Sequence, residues 1–386
     1  MTTKRTYEQI NKKIKDGKAV VVTAEEIIPI VQKKGIERAA EEIDVVTTGT
    51  FGPMCSSGAI INLGHSDPPI RMQEVWLNNV ECYAGLGAVD VYLGATQLSD
   101  TQGMEYGGAH VIEDLILGKE IELKAISKGT DCYPRHEIDT YINKDTINQA
   151  ILFNPRNGYQ NYNVAVNSSN KKMYTYMGVL LPGMGNASYC TSGQLSPLLN
   201  DPKFITIGIG TRIFLGGAQG YIAWEGTQNY PQEIKNKEGK LINKGGTLAV
   251  IGNLKEMSTE YIRAAVFKGY GVSLVIGIGI PVPILNSEIM KYVSVKDEEI
   301  FTEIIDYSVP HLKKPSLGWV NYKQLREGNI KIKGEKVPTS SHSSYAKARE
   351  IAQNLKKEIS DGKFLLQKPI QKLFIGEEFK PLLEIE

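Results

Sequence analysis

The sequence predicts an α/β or α+β fold: mixed sheets with covering helices, glycine-rich loops at the site, a C-terminal helix and an extended tail. Three observations predict it. Short apolar runs such as Ala19–Thr23 and Thr247–Gly252 have the length of buried strands. Stretches such as Thr6–Asp16 and Ser344–Ser360 are amphipathic at helical spacing. The 38 glycines concentrate between residues 49 and 279, so turns and close backbone approaches concentrate there too.

Taken in order, Thr6–Asp16 reads as a helix stopped by Gly17, and Ala19–Thr23 as a short buried strand. Thr23 caps a helix whose first turn holds Glu25 and Glu26, where the dipole favours negative charge. Gly35–Glu42 is a second helical piece, and Asp44–Thr48 leads into a polar loop. Glu74–Asn78, Gly87–Gly94 and Ile121–Ser127 read as strands, and Gly108–Leu117 opens a short helix. Lys144–Asn154 reads as a helix ending before Pro155, and the polar turn Asn167–Lys171 as the tip of a hairpin. Phe204–Gly208 and Thr247–Gly252 are strands. Ser258–Phe267 reads as a helix capped by Ser258, with Tyr261 facing inward. Lys268–Pro283 is a buried strand and loop, and Asp297–Phe301 is helical, continuing through Ser308. After Tyr322 come a short helix, a polar hairpin arm, a loop and the clearest helix, with apolar residues at 346, 351, 352, 355 and 359. Its charged face is expected to be solvated, and Phe364–Leu373 to lie across a neighbouring element or subunit. Residues 1–320 are expected to form the catalytic region, as one large domain or two intimately packed subdomains, with 321–386 as a hairpin, helix and tail packed on it.

Composition excludes several classes. The net charge of +1 makes no electrostatic case for nucleic acid or an anionic membrane. No apolar run approaches the ~18–20 residues that span a bilayer. The first residues lack the apolar core of a secretory signal. Four cysteines, spaced at 55, 82, 132 and 190, do not form a disulfide framework. A cytoplasmic protein with free thiols is expected.

Two stretches invite chemistry. Thr47–Pro69 reads TTGTFGPMCSSGAIINLGHSDPP and sets Cys55 in a loop of small residues, with His65 and Asp67 close behind. Small neighbours leave room for a substrate and for backbone N–H groups at sulfur. Lys128–Glu137, KGTDCYPRHE, places Cys132 beside Arg135 and His136. Nearby cations favour thiolate, the nucleophilic form. No close second pair completes a metal site, and none is expected. Cys82 and Cys190 read as structural, and the glycine cluster at Gly208–Gly220 is not a clean nucleotide fingerprint. The residues leave three readings open: a sulfur or redox thiol enzyme, an acyl or amide transferase using Cys55, His65 and Asp67, and a non-catalytic partner-binding subunit.

Four motifs in order, TTGTFGPMCSSGAIINLGHSDPPIRM, GTDCYPR, GQLSPLLNDP and LGGAQGYIAWEGTQ, resemble the homocysteine biosynthesis family, over about Lys12 to Gly362. That family comprises L-aspartate semialdehyde sulfurtransferases. The resemblance implies conversion of L-aspartate semialdehyde and sulfide to L-homocysteine through a cysteine persulfide. It places the functional cysteines at Cys55 and Cys132. It also implies a ferredoxin-like protein as external two-electron donor, and this chain is expected to bind no cofactor of its own. Regulatory CBS modules, carried by many members, are not expected here. The substrate carboxylate wants an arginine, Arg135, Arg212 or Arg71, and His65 is a candidate oxyanion donor. A homo-oligomer is possible on these grounds.

Overall fold

The computed structural model describes residues 5–157, 161–231, 234–235, 241–242, 245–374, 380 and 382. Among them the strands form four larger sheets and two separate two-stranded pairs, with helices packed on the larger sheets, which is the expected α+β mixture. The largest sheet has nine strands. One of its interior strands is Gln149–Asn157, paired antiparallel with Gly58–Asn62 on one side and Leu248–Asn253 on the other. Helix Gly108–Ile116 and a six-stranded antiparallel sheet cover one face, burying Ile61, Leu93, Ile112, Leu115 and Leu123 together. A third sheet is mixed: Val164–Val166 runs parallel to Phe301–Asp306, and Ala187–Tyr189 parallel to Glu335–Ser341. The fourth joins Val21–Thr23, Val45–Thr47 and Pro281–Pro283.

The C-terminal helix, Tyr345–Ser360, ties these layers together. Ser344 caps it by accepting from the Lys347 N–H. Ala348, Ile351, Ala352, Leu355 and Ile359 form its buried stripe, whereas Ala346 points outward. Burying each large aliphatic side chain is worth about 1.5–3 kcal/mol. The helix lies close against strand Gly271–Gly279 because Gly277 has no side chain: a Cβ there would sit 2.6 Å from the Ile351 Cδ1. Its charged face is partly paired rather than simply solvated. Arg349 reaches Glu25 at 2.6 Å and Lys356 reaches Glu26 at 2.7 Å. Thr23 does not cap the helix as expected: the helix is Ile27–Lys34, and Thr23 and Glu26 instead close the turn before it, the Glu26 carboxylate accepting from the Thr23 N–H and the Thr23 hydroxyl from the Glu26 N–H. The tail behaves as expected within one chain. Leu366 exchanges two 2.8 Å hydrogen bonds with Asn11, and Gln371–Lys372 pairs with Gly208–Ile209.

Several elements differ from the sequence reading. Gln149–Asn157 is a strand, not the end of a helix; it buries every second residue through Asn154, and ladders on both sides satisfy its backbone. Ser258–Tyr261 is a turn, and Ile262–Phe267 forms a strand against Gly271–Gly279, with Tyr261 buried as expected. Phe301–Asp306 is a strand in the mixed sheet, and only Asp297–Glu299 is helical. The strands flanking Asn167–Lys171 do not pair with each other: Val164–Val166 joins the mixed sheet, and Met173–Thr175 pairs with Gly178–Leu180. Phe204–Gly208 is mostly irregular; buried Asp201 accepts from the Ile205, Thr206 and Ile207 N–H groups and holds it in place. In the three segments read as helices, cross-strand pairing overrode local propensity.

Candidate active site

The site forms where the nine-stranded sheet meets the mixed sheet. Strand Thr50–Pro53 pairs antiparallel with Gly271–Gly279 and ends in a tight turn. The Ser57 N–H donates to the Met54 carbonyl at 3.1 Å, which leaves Cys55 and Ser56 at the turn's centre. The Ser57 hydroxyl donates to the same carbonyl and accepts from Asn154 Nδ2 at 2.8 Å. Asn154 is fully buried, so the turn is held from an interior strand of the sheet. The register of that strand shifts between Asn154 and Asn157, and the bulge brings Arg156 to the same cavity. From the mixed sheet, Ala187–Tyr189 delivers Cys190, and the turn before the C-terminal helix delivers Ser343.

These pieces enclose a cavity of about 370 Å³. Cys55, Cys190, Arg156, Tyr176 and Tyr270 are on its wall. The Cys55 sulfur lies 3.2 Å from the Ser273 hydroxyl, and the Cys190 sulfur 3.3 Å from the Ser343 hydroxyl. Arg156 is the cation on the described wall, which holds no carboxylate. Its Nη1 donates to Gln228, while its buried Nε has no partner among the described residues. A buried, unpaired guanidinium N–H beside a cavity is a ready donor for a carboxylate. Phenol hydroxyls continue from the wall: Tyr162 donates to Tyr176 at 3.0 Å, and Tyr176 lies 3.0 Å from the hydroxyl of Tyr307.

Cys55 is thus on the cavity, but the other expected residues are elsewhere. Cys132 is exposed, at the tip of a turn closed by two backbone bonds between Thr130 and Tyr133. Arg135 donates to the Asp67 carbonyl at 2.8 Å, and the His65 ring stacks on Tyr133 at 6.1 Å. His65, Asp67 and Arg71 are exposed. The turn of Cys132 therefore packs on the 65–69 loop, beyond the far end of strand Gly58–Asn62, which alone spans about 14 Å. Arg212 stands over the Phe364 ring, 5.9 Å away, and does not reach the cavity. Cys55 has neither His65 nor Asp67 beside it as an acyl-transfer base would be. Among the described residues no group of His, Cys, Asp and Glu is placed to hold a metal, and no helix is long and apolar enough to cross a membrane. Cys190, read from sequence as structural, and Arg156, not singled out there, both lie on the cavity wall. The dipeptide Pro155-Arg156 carries no motif, and Cys190 has no charged neighbour within several residues.

Burial is the largest influence on both cavity thiols. It raises the Cys55 thiol above its ordinary range against the opposing Ser273 hydroxyl, and it pushes the Cys190 thiol up to about 11. A raised value means that neutral thiol prevails at neutral pH and thiolate grows as pH rises. Alkylation of Cys190, followed on tryptic peptide 173–203, is therefore expected to quicken about tenfold per pH unit up to its raised pKa. A rate already level below pH 9 would show that the cavity holds a thiolate instead.

A cavity of two thiols, one guanidinium and several phenols has the make-up of a thiol-dependent transferase acting on a small anion. Residues 19–366 match the family model described as homocysteine biosynthesis enzyme, sulfur-incorporation, and the chain belongs to that family. It is accordingly an enzyme of sulfur transfer in homocysteine biosynthesis. It is 56% identical over 369 residues to an L-aspartate semialdehyde sulfurtransferase of Methanosarcina acetivorans, covering 96% of this chain and 72% of that protein. It is 51% identical to the L-aspartate semialdehyde sulfurtransferase of Methanocaldococcus jannaschii, covering 98% of this chain and 75% of the relative. No solved structure matches the chain.

Proposed function

We propose that this chain converts L-aspartate semialdehyde and sulfide to L-homocysteine, with Cys55 carrying the sulfur as a persulfide and Arg156 holding the substrate carboxylate. The two relatives' names support the substrate. The observation that carries the reading is Cys55 and Arg156 on one cavity whose described wall bears no carboxylate to repel an anion. Hydrosulfide that attacks a disulfide at Cys55 leaves a persulfide there as the partner thiol departs, and the persulfide's outer sulfur, a strong nucleophile, adds to the aldehyde carbon. The oxygen takes its proton from a phenol of the wall, Tyr176 or Tyr270. Turning an aldehyde carbon into a thiol-bearing methylene takes up one sulfide, two electrons and two protons, and releases the oxygen as water. The electrons come from an external donor, which we take to be a ferredoxin-like protein. Cys132, exposed on its turn, stays a working thiol on the solvent side, where such a partner reaches it.

The test is anaerobic turnover with sulfide, L-aspartate semialdehyde and a low-potential reductant. Homocysteine is expected to accumulate over many turnovers only when all three are present. Sustained accumulation without the reductant, or turnover of acyl thioesters in place of the aldehyde, would overturn the reading.

A further inference from the structure

Two sulfurs that reach one cavity from two different sheets are a different matter from one cysteine in a core. Cys55 arrives on the turn after Thr50–Pro53, and Cys190 on the residue after Ala187–Tyr189. Between them lies Gly52. A Cβ at that position would stand 2.7 Å from the Ser343 hydroxyl and 3.5 Å from the Cys190 sulfur. The Cys190 sulfur therefore rests within van der Waals reach of the backbone three residues before Cys55, and it is its partner, the Ser343 hydroxyl, that fits there because residue 52 is glycine. Each sulfur has a serine hydroxyl for a partner, Ser273 for Cys55 and Ser343 for Cys190. Cys82 shows the contrast: it is buried in a sheet, and its thiol donates to a carbonyl of its own strand, Val80.

We propose that Cys190 is the thiol that forms and resolves the Cys55 persulfide, by way of a Cys55–Cys190 disulfide. The inference rests on Cys55 being the sulfur carrier of the reading above. Hydrosulfide attacks the Cys55 sulfur of the disulfide. A bond forms between sulfide and Cys55, the Cys55–Cys190 bond breaks, and Cys190 leaves as thiolate. The outer sulfur then adds to the aldehyde, and the oxygen gains a proton, which gives a disulfide between Cys55 and the hydroxy-bearing carbon's sulfur. Cys190 thiolate attacks Cys55, the disulfide re-forms, and the hemithioacetal thiolate departs. The protein returns to its starting oxidation state, so this cycle needs no electrons. The two electrons of the overall reaction go to the departed hemithioacetal, which loses water and is reduced by the external donor. Low polarity at both sulfurs favours this course, because disulfide and persulfide link are uncharged whereas a dithiolate is not.

The tryptic peptides make the test direct, because 39–71 holds Cys55 as its single cysteine, 173–203 holds Cys190 and 129–135 holds Cys132. Mild oxidation of the whole chain with diamide, alkylation and non-reducing digestion are expected to give 39–71 linked to 173–203. Adding sulfide before alkylation is expected to replace that link with a persulfide on 39–71 and a free thiol on 173–203. Cys190→Ser, which keeps a hydroxyl beside Ser343, and Cys190→Ala are both expected to lose tenfold or more of turnover with sulfide. Both should still take sulfur onto Cys55 from polysulfide, which shows that they fold. A link between 39–71 and 129–135 in place of 173–203, or unchanged turnover in both variants, would overturn the inference and leave Cys55 as carrier. Absence of persulfide on 39–71 in the unmodified chain under sulfide and polysulfide alike would overturn the underlying reading instead.

Discussion

Cys55→Ser is expected to abolish homocysteine formation, with a loss on the order of 10³-fold or more, as when an essential nucleophile is removed. The structure makes the variant a clean one. Serine fits the same turn, whose closing bonds run through Met54, Ser57 and Asn154 and do not involve the sulfur. The backbone should keep its shape, and thermal unfolding should stay close to that of the unmodified chain. Persulfide mass on tryptic peptide 39–71 should vanish, while that on 129–135, if sulfide loads Cys132 separately, should persist. Turnover within tenfold of the unmodified chain would remove Cys55 from the mechanism. It would move the chemistry to the exposed turn of Cys132, where Arg135 and His136 are neighbours in sequence.

Arg156→Gln is expected to raise the KM for L-aspartate semialdehyde roughly 10- to 150-fold, the equivalent of losing a charge-assisted hydrogen bond worth about 1.5–3 kcal/mol. Among the described residues Nε has no partner and Nη1 donates to Gln228, which leaves the guanidinium with donors to spend on substrate. Because that interaction is made in the ground state and the transition state alike, kcat should change much less than KM. Arg156→Lys should recover only part of the loss, since an ammonium lacks the planar fork. Loading of persulfide on Cys55 needs no carboxylate and should be untouched. An unchanged KM would move the anchor away from this wall. Arg135, Arg212 and Arg71 would then be tested in turn, although none of them lies on the cavity.

Much of this molecule is legible in its residues. The C-terminal helix announces itself within a few positions of sequence, because amphipathic packing is local. Cys55 is equally legible, since small residues, a proline and glycines around one thiol are a local pattern. The long motifs pointed to the right family, because a run of identical residues needs no fold to be recognised. Strand Gln149–Asn157 was not legible: it has helix-compatible residues, and what makes it a strand is hydrogen bonding to two partners about ninety residues away on either side in the chain. The same holds for Ile262–Phe267 and Phe301–Asp306, whose backbones are satisfied across a sheet.

By itself, then, the sequence determined the family, the mixed α+β class, the terminal helices and the identity of one cavity thiol. Which residues keep company with that thiol was decided by tertiary structure alone. Cys190 is 135 positions from Cys55, and Arg156 is 101, and no local pattern marks either. They meet Cys55 because a bulge re-aims Arg156 and because a second sheet brings the Cys190 sulfur to the same wall, where glycine at 52 leaves room for its Ser343 partner. Cys132 separates from the cavity for the matching reason. A strand of fixed rise stands between its turn and Cys55, and a strand cannot be shortened to suit a motif.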